Sequence, residues 1–416
     1  MTSRVALAGL LADPAVARAL AVLDGGGEET RIVGGAVRNA LIGLPTADVD
    51  LATTATPDIV MQRAKDAGLR CVPTGFEHGT VTVVVAGRPF EVTSLREDVE
   101  TDGRRAKVRF GRNFDEDARR RDFTINSLSL TSDGVLHDPL GGEADLAQRR
   151  VRFIGDADQR IAEDYLRVLR FFRFHAAYGE GPLDAAGLAA AIRGRAGLAQ
   201  LSAERVRAEL LKLLAARRGP ETAAEAAQAG LLDFALAGVV APMRLARLAE
   251  IEAARGFAAD AVLRLAGFAL FVREDADRLR DRLRLSNAEH RRLYAAAHAL
   301  EALHGRATPP AGTELAELVF ARSVDATLDA LMLAQADSGA AAEDRTWQEG
   351  YTATEALREL KLPVTGDDLK QRGVTEGRAI GATLKTLQAK WIRAGFPRDP
   401  GVIARLIDEA IAMREI

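Results

Sequence analysis

Short apolar runs punctuated by glycine fill the stretch from residue 30 to 155, and a helical period of apolar positions fills the rest of the chain. Arg31 to Val33, Val49 to Ala52, Val81 to Ala86, Phe90 to Ser94 and Val135 to Asp138 have the length and β-branched content of strands. The junction Ala86-Gly87-Arg88-Pro89 predicts a hairpin turn between two of them. Beyond Gly155, alanine, leucine and arginine dominate, and helices are expected through to Ile416. Breaks are expected at Gly179 to Pro182, Gly219-Pro220, Thr308 to Gly312 and Pro363 to Gly366. No repeat of fixed period is present, and the alanine-rich stretches predict closely packed helices. The fold class is therefore α+β: a small mixed-sheet head over 1–150, then all-α segments over 151–218, 219–310 and 311–416. A length of 416 residues agrees, because one core rarely serves more than about 250 residues.

A composition of 48% hydrophobic and 28% charged residues is that of a globular chain and excludes a disordered one. One cysteine, Cys71, excludes an intrachain disulfide partner and a cysteine-based zinc site, and fits a reducing compartment, with the cytoplasm as the expectation. Val5 to Leu23 is apolar, but Asp13, Pro14 and Arg18 interrupt it, so no membrane role is expected. A net charge of −3 argues against indiscriminate coating of nucleic acid. Arginine nevertheless clusters at Arg104 to Arg112, Arg119 to Arg121, Arg149 to Arg173 and Arg278 to Arg292. Its planar fork suits phosphates and base edges, although a GC-rich genome explains such clusters equally well.

Two features carry chemistry. Gly34-Gly35 stand between a predicted strand and a predicted helix, where glycine lets backbone N–H groups approach a phosphate. The spacing is neither that of a Walker loop nor GxGxxG. Asp48-Val49-Asp50 follows, and residues i and i+2 of a strand share a face, so two carboxylates converge. Like charges side by side call for a cation, and two hard oxygen ligands with substrate phosphates suit Mg²⁺. Glu91, on a neighbouring predicted strand, is the candidate third carboxylate. Together these features predict phosphoryl transfer at metal ions.

The series Gly34-Gly35-Ala36-Val37-Arg38, Asp48-Val49-Asp50, Arg120-Arg121-Asp122-Phe123-Thr124-Ile125-Asn126 and Glu163-Asp164-Tyr165-Leu166-Arg167-Val168-Leu169-Arg170 resembles the class II CCA-adding enzyme and bacterial poly(A) polymerase family. Weaker likeness continues through Leu201 to Val206 and into the Trp391 region. The resemblance implies a polymerase-β-like nucleotidyltransferase head followed by helical neck, body and tail. It implies a template-independent enzyme that adds C, C and A to the tRNA 3′ end from CTP and ATP, with Mg²⁺ on the catalytic Asp48 and Asp50. Arg38 is then expected at the triphosphate and Arg121 at the nucleotide, with Gly35 in the phosphate-facing turn. One departure stands out: the family's first motif usually ends in Arg-Asp, and here Arg38 is followed by Asn39.

The apolar spacing of Tyr165, Val168, Leu169, Phe172 and Ala176 predicts one helix across 158–178 with Asp164 and Arg167 on its other face. An intrahelical ion pair is one reading of that pair. The other is a template, because cytosine and adenine both present an amino donor beside a ring-nitrogen acceptor. Asp164 can accept the first and Arg167 can donate to the second, whereas guanine and uracil set a carbonyl against the carboxylate. The family assigns this role to Glu-Asp-x-x-Arg. Arg170, roughly 60° further round the helix, joins the nucleotide-site candidates, and Arg173 is expected to serve phosphate, RNA or packing.

Arg96 to Phe114, charged and without apolar period, resembles the family's flexible loop, implicated in the switch from C to A addition. The role of the Gly75-Phe76-Glu77-His78-Gly79-Thr80 turn is open. His137-Asp138, His290, His298 and His304 lack metal-site spacing. A poly(A) polymerase is the nearest rival, but the chain closes on Arg414-Glu415-Ile416 without a basic extension, which favours tRNA. A non-catalytic RNA-binding relative fits poorly with intact Asp48, Asp50, Asp164 and Arg167.

Overall fold

The computed structural model describes residues 2–46, 48–97, 109–359 and 361–413. Residues 98–108 of the expected flexible loop, and the three C-terminal residues, lie outside that set. The chain divides into two compact units, Met1–Leu201 and Ser202–Ile416, a division that falls between the expected boundaries at 150 and 218.

In the first unit the strands are β1 (Thr30–Val33), β2 (Asp50–Thr53), β3 (Arg70–Gly75), β4 (Thr80–Val85), β5 (Arg88–Ser94), β6 (Arg96–Glu97), β7 (Arg109–Phe110), β8 (Ser129–Leu130) and β9 (Leu136–His137). Seven of them form one mixed sheet in the order β3-β4-β5-β2-β1-β8-β9, while β6 and β7 pair separately. The β2–β5 pairing is parallel and the others in the large sheet are antiparallel. All five expected strands are present. The expected hairpin joins β4 to β5 through Ala86 (φ 51°) and Gly87 (φ 80°), a turn with both central residues left-handed that matches the twist of the strands. β3, whose residues are all exposed or half-exposed, carried no clear apolar alternation and was not expected.

The sheet's core is Ile32, Leu51, Val81, Val83, Phe90 and Val92, each at most 1% exposed. Asp13 accepts from Ala15 N (2.9 Å) and Val16 N (3.1 Å) and so starts a new helix, Pro14–Leu23, whose Val16, Ala19, Leu20 and Leu23 are buried. Among the described residues no single helix is long and apolar enough to cross a membrane. The Gly75 to Thr80 turn packs on β7: a Cβ at Gly79 would lie 3.1 Å from the Phe110 ring.

The first unit continues into helices Ala157–Glu163, Leu166–Tyr178 and Ala185–Gly194. Phe123 fastens the longest of these to the head, with ring centroids 4.9 Å from Phe153 and 5.1 Å from Phe174. Contacts of this kind add roughly 0.5–1.5 kcal/mol each beyond area burial. This packing sets the Arg120 to Asn126 segment beside the Leu166–Tyr178 helix.

The second unit is helical throughout its described residues, from Ala203–Ala215 to Pro400–Ala412, and its helices are interrupted where glycine and proline predict. Ala297, Ala299 and Ala330 are fully buried, which is the close helix packing expected of the alanine-rich stretches. Its last helices enclose Trp391, which meets Phe396 edge-on at 5.2 Å and donates to Pro397 O at 2.9 Å.

Candidate active site

β2 opens on Asp50, the one exposed residue of a strand otherwise buried. Because β2 runs parallel to β5 with Leu51 opposite Val92, Glu91 comes alongside Asp50. Both line a cavity of about 330 Å³, with Val33, Thr93, Arg96, Asp117, Arg120 and Arg121 among its other walls. Partial burial in this cleft pushes the Asp50 carboxyl up, the Arg121 guanidinium pulls it down, and the Asp48 charge pushes it up again. Burial and then Asp50 likewise raise Glu91. Asp48 itself lies outside the strand, on the exposed approach to it, and reaches Asp50 through charge. Among the described residues no three histidine, cysteine, aspartate or glutamate side chains stand close enough to hold an ion by themselves. The donor set is instead a group of mutually repelling hard oxygens, to which a divalent cation shared with substrate phosphates is the fitting complement.

The glycine turn packs against the Arg121 side chain. Gly34 adopts φ 63°, ψ −117°, and a Cβ there would sit 2.8 Å from an Arg121 terminal nitrogen. Gly35 has no such conflict, since the nearest atom to its Cβ position is an Arg38 nitrogen at 3.6 Å. Arg121 threads past Gly34 and donates to Asn126 O (3.3 Å) and to Asp117 Oδ2 (3.2 and 3.3 Å). Asp117, on the helix Phe114–Arg120, also receives Arg120 at 3.0 Å. The acidic-then-basic run Asp115 to Arg121 is the sequence signal for this pairing, since i,i+3 and i,i+4 charges meet on a helix.

Arg38, expected at the triphosphate, is 6% exposed and does not line this cavity. It donates to Asn126 Oδ1 (2.5 Å), to Tyr178 OH (2.7 Å) and to Asn39 Oδ1 (2.9 and 3.1 Å), with its guanidinium carbon 3.9 Å from the Tyr178 ring centre. Burial pulls its pKa down to about 10, with Tyr178 and Asp122 opposing and Arg173 and Arg170 assisting that drop. Asn126 Nδ2 in turn donates to Asp122 Oδ1 (2.9 Å), and Asp122 Oδ2 accepts Arg170 at 2.6 to 2.7 Å. Arg170 is thus joined to the Arg120-Arg121-Asp122 motif. Arg173 lies over the Phe174 ring at 4.1 Å. Tyr178, 140 positions from Arg38, left no signal in the sequence.

The single helix expected over 158–178 is two helices, Ala157–Glu163 and Leu166–Tyr178. Asp164 falls in the break with φ −156°, and its Oδ1 accepts Leu166 N at 3.1 Å, so the helical i,i+3 argument does not place it. Arg167 is on the second helix and pairs with Glu163 at 2.5 Å, while also donating to Arg160 O (2.8 Å) and Arg120 O (3.3 Å). The bond to Arg120 O puts Arg167 beside the cavity's arginine wall. Glu163, part of the quoted motif, is the partner the periodicity argument passed over. Asp138 of the His137-Asp138 pair caps a helix, accepting Gly142 N (2.7 Å) and Glu143 N (2.9 Å) at its start.

Residues 30–152 match the family model described as the poly(A) polymerase head domain. The mouse (Mus musculus) mitochondrial CCA tRNA nucleotidyltransferase 1 is 35% identical over 377 residues, spanning 88% of this chain and 84% of that protein. The CCA-adding enzyme of Leuconostoc citreum is 40% identical over 214 residues, 51% of this chain and 52% of that one. The crystal structure of the Bacillus stearothermophilus CCA-adding enzyme in complex with CTP superimposes with a TM-score of 0.74 at 27% identity, covering 96% of this chain and 98% of that one. With its carboxylate cleft on a mixed sheet and its likeness sustained over both units, this chain belongs to the family of CCA-adding tRNA nucleotidyltransferases.

Proposed function

We propose that this chain adds C, C and A to the 3′ end of tRNA without a nucleic-acid template, using CTP and ATP and releasing pyrophosphate. The observation that carries the reading is that Asp50, Glu91 and Arg121 face one cavity, so groups suited to a cation and to a phosphate share one space. The tRNA 3′-oxygen attacks the α-phosphorus, and the bond to the pyrophosphate leaving group breaks as the new P–O bond forms. Asp48 and Asp50 would hold Mg²⁺, which lowers the pKa of the attacking hydroxyl and offsets charge on the pyrophosphate. Arg121, fixed by Asp117 and Asn126, binds the triphosphate. Arg38 acts through Asn126 and keeps that frame in place. Gly35 opens the helix beneath it.

In this reading Asp164 accepts the exocyclic amino group of cytosine or adenine and Arg167 donates to the ring nitrogen. Arg170 steadies the adjoining face through Asp122. A carbonyl facing Asp164 in guanine or uracil costs roughly 1–3 kcal/mol, enough for a tenfold or greater preference. The single cysteine supports the reducing cytoplasm as the place of action. A poly(A) polymerase is the second reading, favoured by the description of the matching head model.

Incorporation by the purified protein with Mg²⁺ tests these alternatives, with each labelled nucleotide given in turn to tRNAs lacking part or all of CCA and to oligo(A). Ordered addition that stops after CCA is expected. Long A tails on oligo(A) without C incorporation would replace this reading with the second.

A further inference from the structure

Asn39 follows Arg38 at the end of the first motif, and its amide is used at both ends. Oδ1 accepts two bonds from Arg38 (2.9 and 3.1 Å), and Nδ2 donates to Pro45 O (3.1 Å). The orientation of the amide follows from its partners, because a guanidinium offers only donors and a carbonyl only acceptors. The backbone of the same residue holds the start of this turn, since Asn39 O accepts Ile42 N (3.2 Å) and Leu44 N (2.9 Å). Pro45 lies three positions before Asp48.

We propose that Asn39 is a positioning residue that ties the approach to Asp48 to the buried Arg38, and through Asn126 and Asp122 to Arg170 on the Leu166–Tyr178 helix. One continuous set of hydrogen bonds then connects the carboxylate side of the site to the helix that carries Arg167. The proposal rests on Asp48 serving catalysis, as set out above. An aspartate cannot do both tasks of this asparagine: it would hold Arg38 at least as well, adding a countercharge to a buried guanidinium, but it has no donor for Pro45 O and would set a carboxylate oxygen against that carbonyl. Serving Arg38 and tethering the turn therefore predict opposite results for one substitution.

The test is Asn39→Asp beside Asn39→Ala in the full-length protein, with hydrogen exchange at the amides of Ile42, Gly43 and Leu44, unfolding temperature, and steady-state CTP addition as readouts. Loss of one net hydrogen bond corresponds to about a five- to tenfold change, so Asn39→Asp should speed exchange at these amides and lower kcat by about that factor. Its KM for CTP should stay within about twofold, because Arg121 is not touched. Its unfolding temperature should not fall, whereas Asn39→Ala, which strips from buried Arg38 the one acceptor of two of its hydrogen bonds, should lower it. Exchange or kcat in Asn39→Asp equal to that of the parent overturns the proposal. Retained activity in Asp48→Ala would instead sink the catalytic reading, and the exchange result would still judge the tether.

Discussion

Two adjacent glycines make the sharpest test of how this site is assembled. Gly34→Ala places a Cβ 2.8 Å from the Arg121 guanidinium on a backbone of φ 63°, ψ −117°. That backbone region costs a non-glycine residue roughly 1–3 kcal/mol. Arg121 can swing aside, but it then gives up its bonds to Asp117 and Asn126, which are long and partly exposed and contribute about 1 kcal/mol together. The sum, roughly 2–4 kcal/mol, corresponds to a fall of about 4–15 °C in the unfolding temperature of a unit of some 200 residues. Displacing Arg121 also removes the cation beside Asp50, so kcat/KM for CTP should drop by more than about tenfold. Gly35→Ala is the control: it meets only ordinary contact and takes the first turn of a helix, where alanine is favourable, so its change should stay below about 0.5 kcal/mol. Calorimetry and single-nucleotide incorporation on both variants decide the matter. A Gly34→Ala protein within about 1 °C of the parent, or a Gly35→Ala protein that is the worse of the two, would refute the reasoning.

Other expectations follow from the same geometry. Partial burial and Asp48 hold the Asp50 carboxyl above its usual range, so the folded chain binds that proton more tightly than the unfolded one, and stability declines as pH rises through the raised value. Asp50→Asn should therefore unfold at a higher temperature than the parent at about pH 7 without added metal, with the gap closing toward about pH 4, while incorporation is lost. A lower unfolding temperature for Asp50→Asn at neutral pH would contradict the charge crowding. Arg167→Ala and Asp164→Ala should each narrow the preference for C and A over G and U by about tenfold in nucleotide competition; unchanged selectivity would mean the base is read elsewhere. Asp122→Ala removes a buried carboxylate that gathers Arg170, Asn126 and the Phe123 amide, and should cost roughly 3 kcal/mol by denaturant titration, with under about 1 kcal/mol counting against the network.

The sequence by itself determined the class of the chain, its glycine and proline breaks and five strands of the head, whereas Asp48, expected on one strand face with Asp50, lies before the strand begins. These are local properties: a period of apolar positions and a turn residue act within a few positions of where they are read. Motif order then pointed to the family that the comparisons identify. Failures occurred where a partner lies far along the chain or a local rule meets a competing one. Asp164 looked helical by spacing, yet its side chain caps the following Leu166 amide and the helix breaks there. Arg38 gave no sign in the sequence of its packing against Asn126 and Tyr178, 88 and 140 positions away, which buries it in the folded chain. Glu91 became more than an exposed strand residue only through the parallel β2–β5 register, and Gly34 only through the close passage of Arg121. Periodicity and turn chemistry fix the elements one by one, whereas cross-sheet register and side-chain burial join residues distant in sequence, and only the folded chain sets those distances.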